Sequence, residues 1–311
     1  MSADLIVRLP NHLGDACMTL PALELLATRG FALTLAGRPW AAELFAAYPW
    51  PVLALPRERR ARIDALRAHA PAGTPALLLT NSFGSALDLR LARLRCSGYD
   101  TDLRRPLLAA AFPVPARWKQ DAAPMHMVEY YYELASVFVG GDVPPVPADL
   151  SLRLPPQAAA GARSALAGAG GGYVMLCPVA IGRHKGRVKA WDGFGALCAE
   201  LAGAGVRVVA CPGPGERDAV RAAVPGATLL PEVDLATFGA LLAGSRLVVA
   251  NDSGAAHVAA AVGARLLTLF GVTDSRRTGP WSSTAVRLGS AETWPSFAAV
   301  VAEVRRQLES R

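Results

Sequence analysis

Short apolar runs alternate with helical patterns twice over in this chain, and that alternation limits the folds open to it. "LIVRL" (5–9), "ALTLAG" (32–37), "PVLAL" (51–55) and "PALLLTNS" (75–82) read as strands. They are bounded by turn residues and are too continuously apolar to be half-exposed. "ACMTLPALELLATRG" (16–30) and "HMVEYYYELASVFVG" (126–140) carry helical periodicity, and Gly30 ends the first where a left-handed residue is needed. The segment "DVPPVPADLSLRLPP" (142–156) is hostile to helix and reads as a linker. A second series follows: strands at "YVMLCPV", "RVVACPG", "ATLLP", "RLVVAND" and "RLLTLFG", the last closing the run. Its helices lie at "WDGFGALCAELAGAG", "GERDAVRAAV", "DLATFGALLAGS", with Asp234 as N-cap, and "GAAHVAAAVG". An amphipathic helix, "SFAAVVAEVRRQLES", comes last. The expectation is α/β: two Rossmann-like parallel-sheet domains, 1–155 and 156–311, facing across a cleft.

Composition narrows the partners. Of 311 residues 52% are hydrophobic and 18% charged, enough apolar material for two cores, and the net charge of +7 suits an anionic partner. The densest basic group is Arg57, Arg59, Arg60 and Arg62, either a solvated helix face or an approach to anionic lipid. No aromatic residues interleave with this cluster, so nucleic acid is not an expected partner. Five cysteines show no Cys-x-x-Cys pairing and no histidines at zinc spacing, so no metal site and a reducing compartment are expected. The N-terminus lacks the layout of a secretory signal and no apolar run reaches spanning length, so the expected location is the cytoplasm.

Ligands of open parallel sheets bind beyond the carboxyl ends of the strands. One strand-to-helix junction per domain stands out: "NHLGDACMT" (11–19) and "NDSGAAHVAAAVG" (251–263). At the second, Ser253, Gly254, Ala255 and Ala256 lie at a helix N-terminus, where unpaired amides and the dipole favour an anion. "PGPGERD" adds a glycine-rich turn with Glu216, placed to accept bonds from ribose hydroxyls. Plainer roles stay open. Asp252 and Ser253 could simply cap the helix, His257 could be a packed core histidine, and Asp15 could be a helix N-cap. Arg183, Arg187, Arg276 and Arg277 could meet phosphates or face water.

"NDSGAAHVAAAVGARLLTLFGVTDSRRTGPW" resembles the signature of glycosyltransferase family 9, the lipopolysaccharide heptosyltransferases. "RLPNHLGDACMTLPALELL", "LLLTNSFGSAL", "HMVEYYYEL", "KAWDGFGALCAEL" and "CPGPGERD" extend the resemblance over nearly the whole chain, with "LPNHLGD" and "TNSFGSA" closer to the heptosyltransferase II type. The resemblance implies a metal-independent GT-B enzyme without a cofactor, peripheral at the inner face of the inner membrane. It would transfer heptose from ADP-heptose, bound by the C-terminal domain, to a lipid A-core acceptor at the N-terminal domain. It implies Asp15 as catalytic base, Lys189 on the donor phosphates, Glu216 on ribose and Val233 near adenine. Asp252, Ser253, Gly254, Ala255 and His257 would complete the donor site. Apart from the resemblance, His12, beside the Gly-Asp turn, could touch acceptor together with Asn11, or be a solvent-exposed loop histidine. The run "CPVAIGRHKGRVKAW" departs from the family's usual glycine-containing sequence, so Lys185 competes with Lys189. One base without a second carboxylate nucleophile would invert the anomeric centre. Two other readings remain: a catalytically silent nucleotide-sugar-binding protein, and a nicotinamide-dependent oxidoreductase, for which "PGPGERD" supplies only half the fingerprint.

Overall fold

A computed structural model describes residues 3–167, 172–180, 183–184 and 186–310. The chain divides into two compact units, Met1–Pro147 and Ala148–Arg311.

The first unit is built on a six-stranded sheet: β1 (Ala3–Arg8), β2 (Phe31–Gly37), β3 (Val52–Ala54), β4 (Pro75–Leu78), β5 (Arg95–Tyr99) and β6 (Ala110–Phe112). All its pairings are parallel and the order is β3-β2-β1-β4-β5-β6. The second unit repeats the design with β7 (Tyr173–Cys177), β10 (Arg207–Ala210), β11 (Thr228–Leu229), β12 (Leu247–Asn251), β13 (Leu266–Phe270) and β14 (Val286–Gly289). Its order is β11-β10-β7-β12-β13-β14, again parallel. A two-residue antiparallel hairpin, β8 (Arg183–His184) and β9 (Arg187–Val188), follows β7. In each sheet the strand order reverses beside the unit's first strand. The switch points are therefore β1/β4 and β7/β12, where open parallel sheets hold ligands beyond their carboxyl ends.

The central strands are buried on both faces. Leu5, Ile6 and Val7 of β1, all of β7 and all of β12 are inaccessible or nearly so, as the continuous apolar runs require. In the second unit Trp191, Phe194, Leu197 and Val220 pack with Val174, Leu176, Val249 and Leu267 over one sheet face.

Gly30 closes its helix at φ +86°, the left-handed conformation expected of it. The single helix expected over 16–30 is two, Leu13–Met18 and Leu20–Thr28. The break falls at Thr19, just before Pro21, whose missing N–H is harmless only in a helix's first turn. The second strand series does not close at β13, because β14 pairs beyond it. The stretch 148–155 joins the second unit: Leu152 N–H donates to the Ala261 carbonyl at 2.7 Å, and Asp149 accepts from Ser283 N–H and Oγ.

Candidate functional site

β12 ends at Asn251 and the chain turns through Asp252 and Ser253 into the helix Gly254–Ala261. Ser253 holds the N-cap position with extended backbone, but its side chain makes no capping bond. Its Oγ is buried without a hydrogen-bond partner among the described residues. Ala256 and His257 N–H donate to the Ser253 carbonyl, whereas the Gly254 and Ala255 amides have no carbonyl ahead of them within the helix, so this end presents donors and positive dipole. Small residues, Gly254 and Ala255, leave that backbone approachable.

Asp252 does not cap the helix. It is 4% exposed, and Oδ2 accepts from Thr273 Oγ1 at 2.7 Å while lying 3.2 Å from Lys189 Nζ. His257, itself buried, brings Nε2 to 3.9 Å from Asp252 Oδ1. Core packing and proximity to the carboxylate are thus both true of this histidine. Lys189 reaches the turn from the segment after β9, across the β7/β12 switch point, and keeps about a quarter of its side chain exposed (24%). Its competitor Lys185 lies outside the described residues.

Glu216 occupies the N-cap position of the helix Arg217–Ala223 beyond β10. Its Oε2 accepts from Gly213 N–H at 3.1 Å, and a Cβ added at Gly213 would meet that oxygen at 3.0 Å. Val233 lies half-buried in the loop after β11, one residue before Asp234. As expected, Asp234 caps the helix Leu235–Ala243, accepting from Thr237 N–H at 2.8 Å. The donor residues implied by the resemblance therefore stand at carboxyl ends of neighbouring strands in one sheet.

Two arginines have other duties. Arg187 donates to the carbonyls of Gly271 at 2.7 Å, Glu292 at 3.0 Å and Ala291 at 3.1 Å, which fastens the β8–β9 hairpin. Arg276 pairs with Asp274, which caps its own short helix.

In the first unit, Asp15 stands at the third position of the helix Leu13–Met18, so it is not the N-cap; His12 is. Asp15 Oδ2 lies 3.4 Å from His12 Nδ1, and His12 is largely solvent-exposed. Burial, and then the charge of Asp15, push the neighbouring Cys17 thiol up to about 12. Asn11 lines a cavity of about 360 Å³ at the carboxyl ends of β1 to β4, together with Arg8, Arg38, Arg57, Arg59 and Arg62. Arg8 Nη2 donates to Asn11 Oδ1 at 2.9 Å, and burial, aided by Arg62, pulls the Arg8 pKa down to about 10. The single carboxylate on the wall is Asp88, 2.7 Å from Arg62 Nε and 3.1 Å from Arg59 Nε. Part of the basic cluster thus faces a cavity and not a plain solvated surface. Sequence reasoning missed this cavity, although a charged Arg8 directly after the apolar run Leu5–Val7 was a visible signal. It also missed Thr273, whose partner lies 21 residues away. His126 has a structural duty, accepting from Val128 N–H to cap the helix Met127–Val139.

Asp100-Thr101-Asp102 forms an Asp-x-Asp pair, with Asp100 bound to Arg105 at 2.7 Å. Among the described residues no group of three or more His, Cys, Asp or Glu comes together in metal-holding geometry.

The model of glycosyltransferase family 9 (heptosyltransferase) matches residues 66–303, well over half of the chain. The chain belongs to glycosyltransferase family 9. The matched span contains Lys189, Glu216 and the 252–257 turn, whereas Asp15 and most of the arginine cavity precede it. Lipopolysaccharide heptosyltransferase 3 of Escherichia coli is 35% identical over 136 residues, which is 40% of this chain and 39% of that protein. The alignment thus spans less than half of that relative. Among solved structures, E. coli ADP-heptose LPS heptosyltransferase II superposes with a TM-score of 0.78 at 22% identity, covering 99% of this chain and 98% of the other. E. coli heptosyltransferase WaaC with ADP gives 0.75 at 20% identity, covering 98% and 99%. The family 9 chain therefore has the GT-B class of fold, two parallel-sheet units, as the sequence implied. No helix among its described residues is long and apolar enough to cross a membrane.

Proposed function

We propose that this protein transfers a heptose from ADP-heptose to the inner core of a lipid A-linked acceptor, with inversion at the anomeric carbon. One observation carries the reading: the amino end of the 254–261 helix, with the unpartnered Ser253 Oγ and the adjacent Lys189 ammonium. Transfer from a nucleoside diphosphate sugar generates negative charge on the departing diphosphate. Preorganised N–H donors and a cation stabilise that charge without having to reorganise. In this proposal the diphosphate lies on the amides of Ser253, Gly254 and Ala255 with Lys189 beside it, and no metal is needed. Asp252 holds the ammonium in place beforehand. Glu216 takes the ribose hydroxyls, and backbone near Val233 meets the base. Family membership and the ADP-bound relative support the choice of nucleotide.

Asp15 is the proposed general base, removing the acceptor hydroxyl proton as the new bond forms. The arginine-walled cavity suits an anionic acceptor, with Asn11 on its wall and His12 beside Asp15. A lipid-linked acceptor also implies transient contact with the inner leaflet of the membrane. Neutralising Arg57 and Arg60 is then expected to weaken binding to anionic vesicles at low salt.

Calorimetry with ADP, GDP and UDP tests the donor site, followed by mass spectrometry of core oligosaccharide from a deletion strain. ADP is expected to bind tightest and the deletion strain to lack one heptose. Absence of binding by all three nucleotides would overturn the reading. Asp15→Asn is expected to lower transfer about 10²–10⁴-fold with ADP affinity retained; a parallel loss of ADP affinity would remove Asp15 from the role of base.

A further inference from the structure

Beyond β4, on the acceptor side of the proposed reaction, a polar network has no duty in the chemistry described so far. Its centre is Arg104, which has no exposed surface at all. Nε donates to the Tyr99 carbonyl at 2.8 Å, Nη1 to the Thr80 carbonyl, and Nη2 to Asn81 Oδ1 at 3.3 Å. None of these partners is a carboxylate. A buried guanidinium is costly unless its donors are satisfied, and here they are spent on the carboxyl ends of β4 and β5. The turn that delivers Arg104 is itself strained, with Asp102 at φ +50° and Leu103 at φ +58°. Non-glycine residues rarely hold such angles unless the surroundings over-determine them.

What this arrangement fixes is the orientation of one amide. Asn81 Oδ1 also accepts from Tyr130 Oη at 3.0 Å. Two donors fill its two lone-pair sites. A flipped carboxamide would set N–H₂ against the guanidinium, so the orientation is single-valued. Asn81 is half-buried, and its Nδ2 makes no hydrogen bond among the described residues. Immediately before it, Thr80 Oγ1 is buried and also without a hydrogen-bond partner among the described residues. Immediately after it, Ser82 lines the arginine cavity. Thr80, Asn81 and Ser82 follow β4, one of the two strands of the β1/β4 switch point, where the topology places a ligand.

We propose that Asn81 is an acceptor-recognition residue, its Nδ2 donating to an oxygen of the anionic sugar acceptor, with Arg104 and Tyr130 as the positioning residues that keep the amide turned outward as a donor. The proposal rests on the heptosyltransferase reading above and adds to it a residue that discriminates acceptors by hydrogen-bond polarity.

The test is steady-state kinetics of the full chain with ADP-heptose and a deacylated core acceptor, comparing wild type, Asn81→Asp, Asn81→Ala and Tyr130→Phe. Asn81→Asp is nearly isosteric and gives Arg104 a carboxylate, so melting is expected to hold or rise. Its outward edge, however, changes from donor to acceptor. The acceptor KM is expected to rise about tenfold or more with the ADP-heptose KM unchanged. Asn81→Ala should show a smaller rise, and Tyr130→Phe smaller still. An unchanged acceptor KM in Asn81→Asp overturns the proposal, as does a fall in kcat and melting temperature without a KM split, which marks a structural role. Wild-type protein that binds ADP but transfers no heptose overturns the underlying functional reading instead, and this proposal with it.

Discussion

Asp252 shows how one residue can be legible in type and illegible in duty. Its place after a buried strand announced a strand-to-helix junction, and there a capping aspartate is the plain expectation. The structure turns it inward, against Thr273, Lys189 and His257, and leaves the cap position to Ser253. His257 belongs to the same stretch, but Lys189 and Thr273 come from two other segments, so no local pattern could have named all three together. Removing the carboxylate strands a partly buried ammonium and a hydroxyl. Asp252→Ala is therefore expected to destabilise the protein by about 3 kcal/mol, the low end for a broken buried pair because Lys189 keeps some solvent. Thr273→Val should cost about 1 kcal/mol, the net worth of one hydrogen bond. Urea denaturation of the two variants checks the ranking, and equal losses would show that the ion pair adds nothing.

At the scale of elements, what was legible followed the strength of the local signal. β1, β2, β7, β12 and β13 are apolar enough to be read directly, and Gly30 and Asp234 mark helix ends by mechanism. β5, with the sequence "RCSGY", and β6, with "AAF", escaped notice because glycine, serine and brevity hide the pattern. They are strands because β4 and then β5 offer an edge to pair with, a tertiary fact. Caps also make a prediction about pH. For Asp234, burial alone would raise the pKa, but bonds from Thr237 N–H and Oγ1 outweigh it and the net shift is downward. Asp149 is lowered chiefly by the Ser283 amide, and Asp274 chiefly by Arg276. A depressed folded-state pKa stabilises above the ordinary value, and that contribution is lost as pH falls through the folded value. Melting of the protein should therefore drop as pH is lowered from about 4. Asp234→Ala should lower stability by about 1 kcal/mol at pH 7 and show a shallower acid decline. An acid decline as steep as wild type would mean that this cap is not linked to protonation.

At the scale of the whole molecule, a single design is used twice, and the boundary between the copies carries physical consequences. The proline-rich stretch suggested a division at 155/156, whereas the compact units divide at 147/148. Composition could not locate this, because prolines mark extended chain without saying which core that chain serves. Here Leu152 is buried at 7% exposure and bonded to Ala261, Leu154 sits against Gly239, and Asp149 clamps Ser283. Residues 148–155 thus act as an edge of the second unit. Two fragments separate the alternatives. A chain of 148–311 is expected to fold and bind ADP, since it keeps every proposed donor residue with its supports. A chain of 156–311 loses the Leu152 side chain from its core and the Asp149 clamp, a deficit of about 2–4 kcal/mol. Against the modest stability of a domain this size, that loss is a large fraction. Thermal melts should therefore place the shorter fragment well below the longer one, with ADP affinity reduced in proportion to the unfolded population. Identical melting curves would show that the segment is a tether and that the unit begins at Pro156.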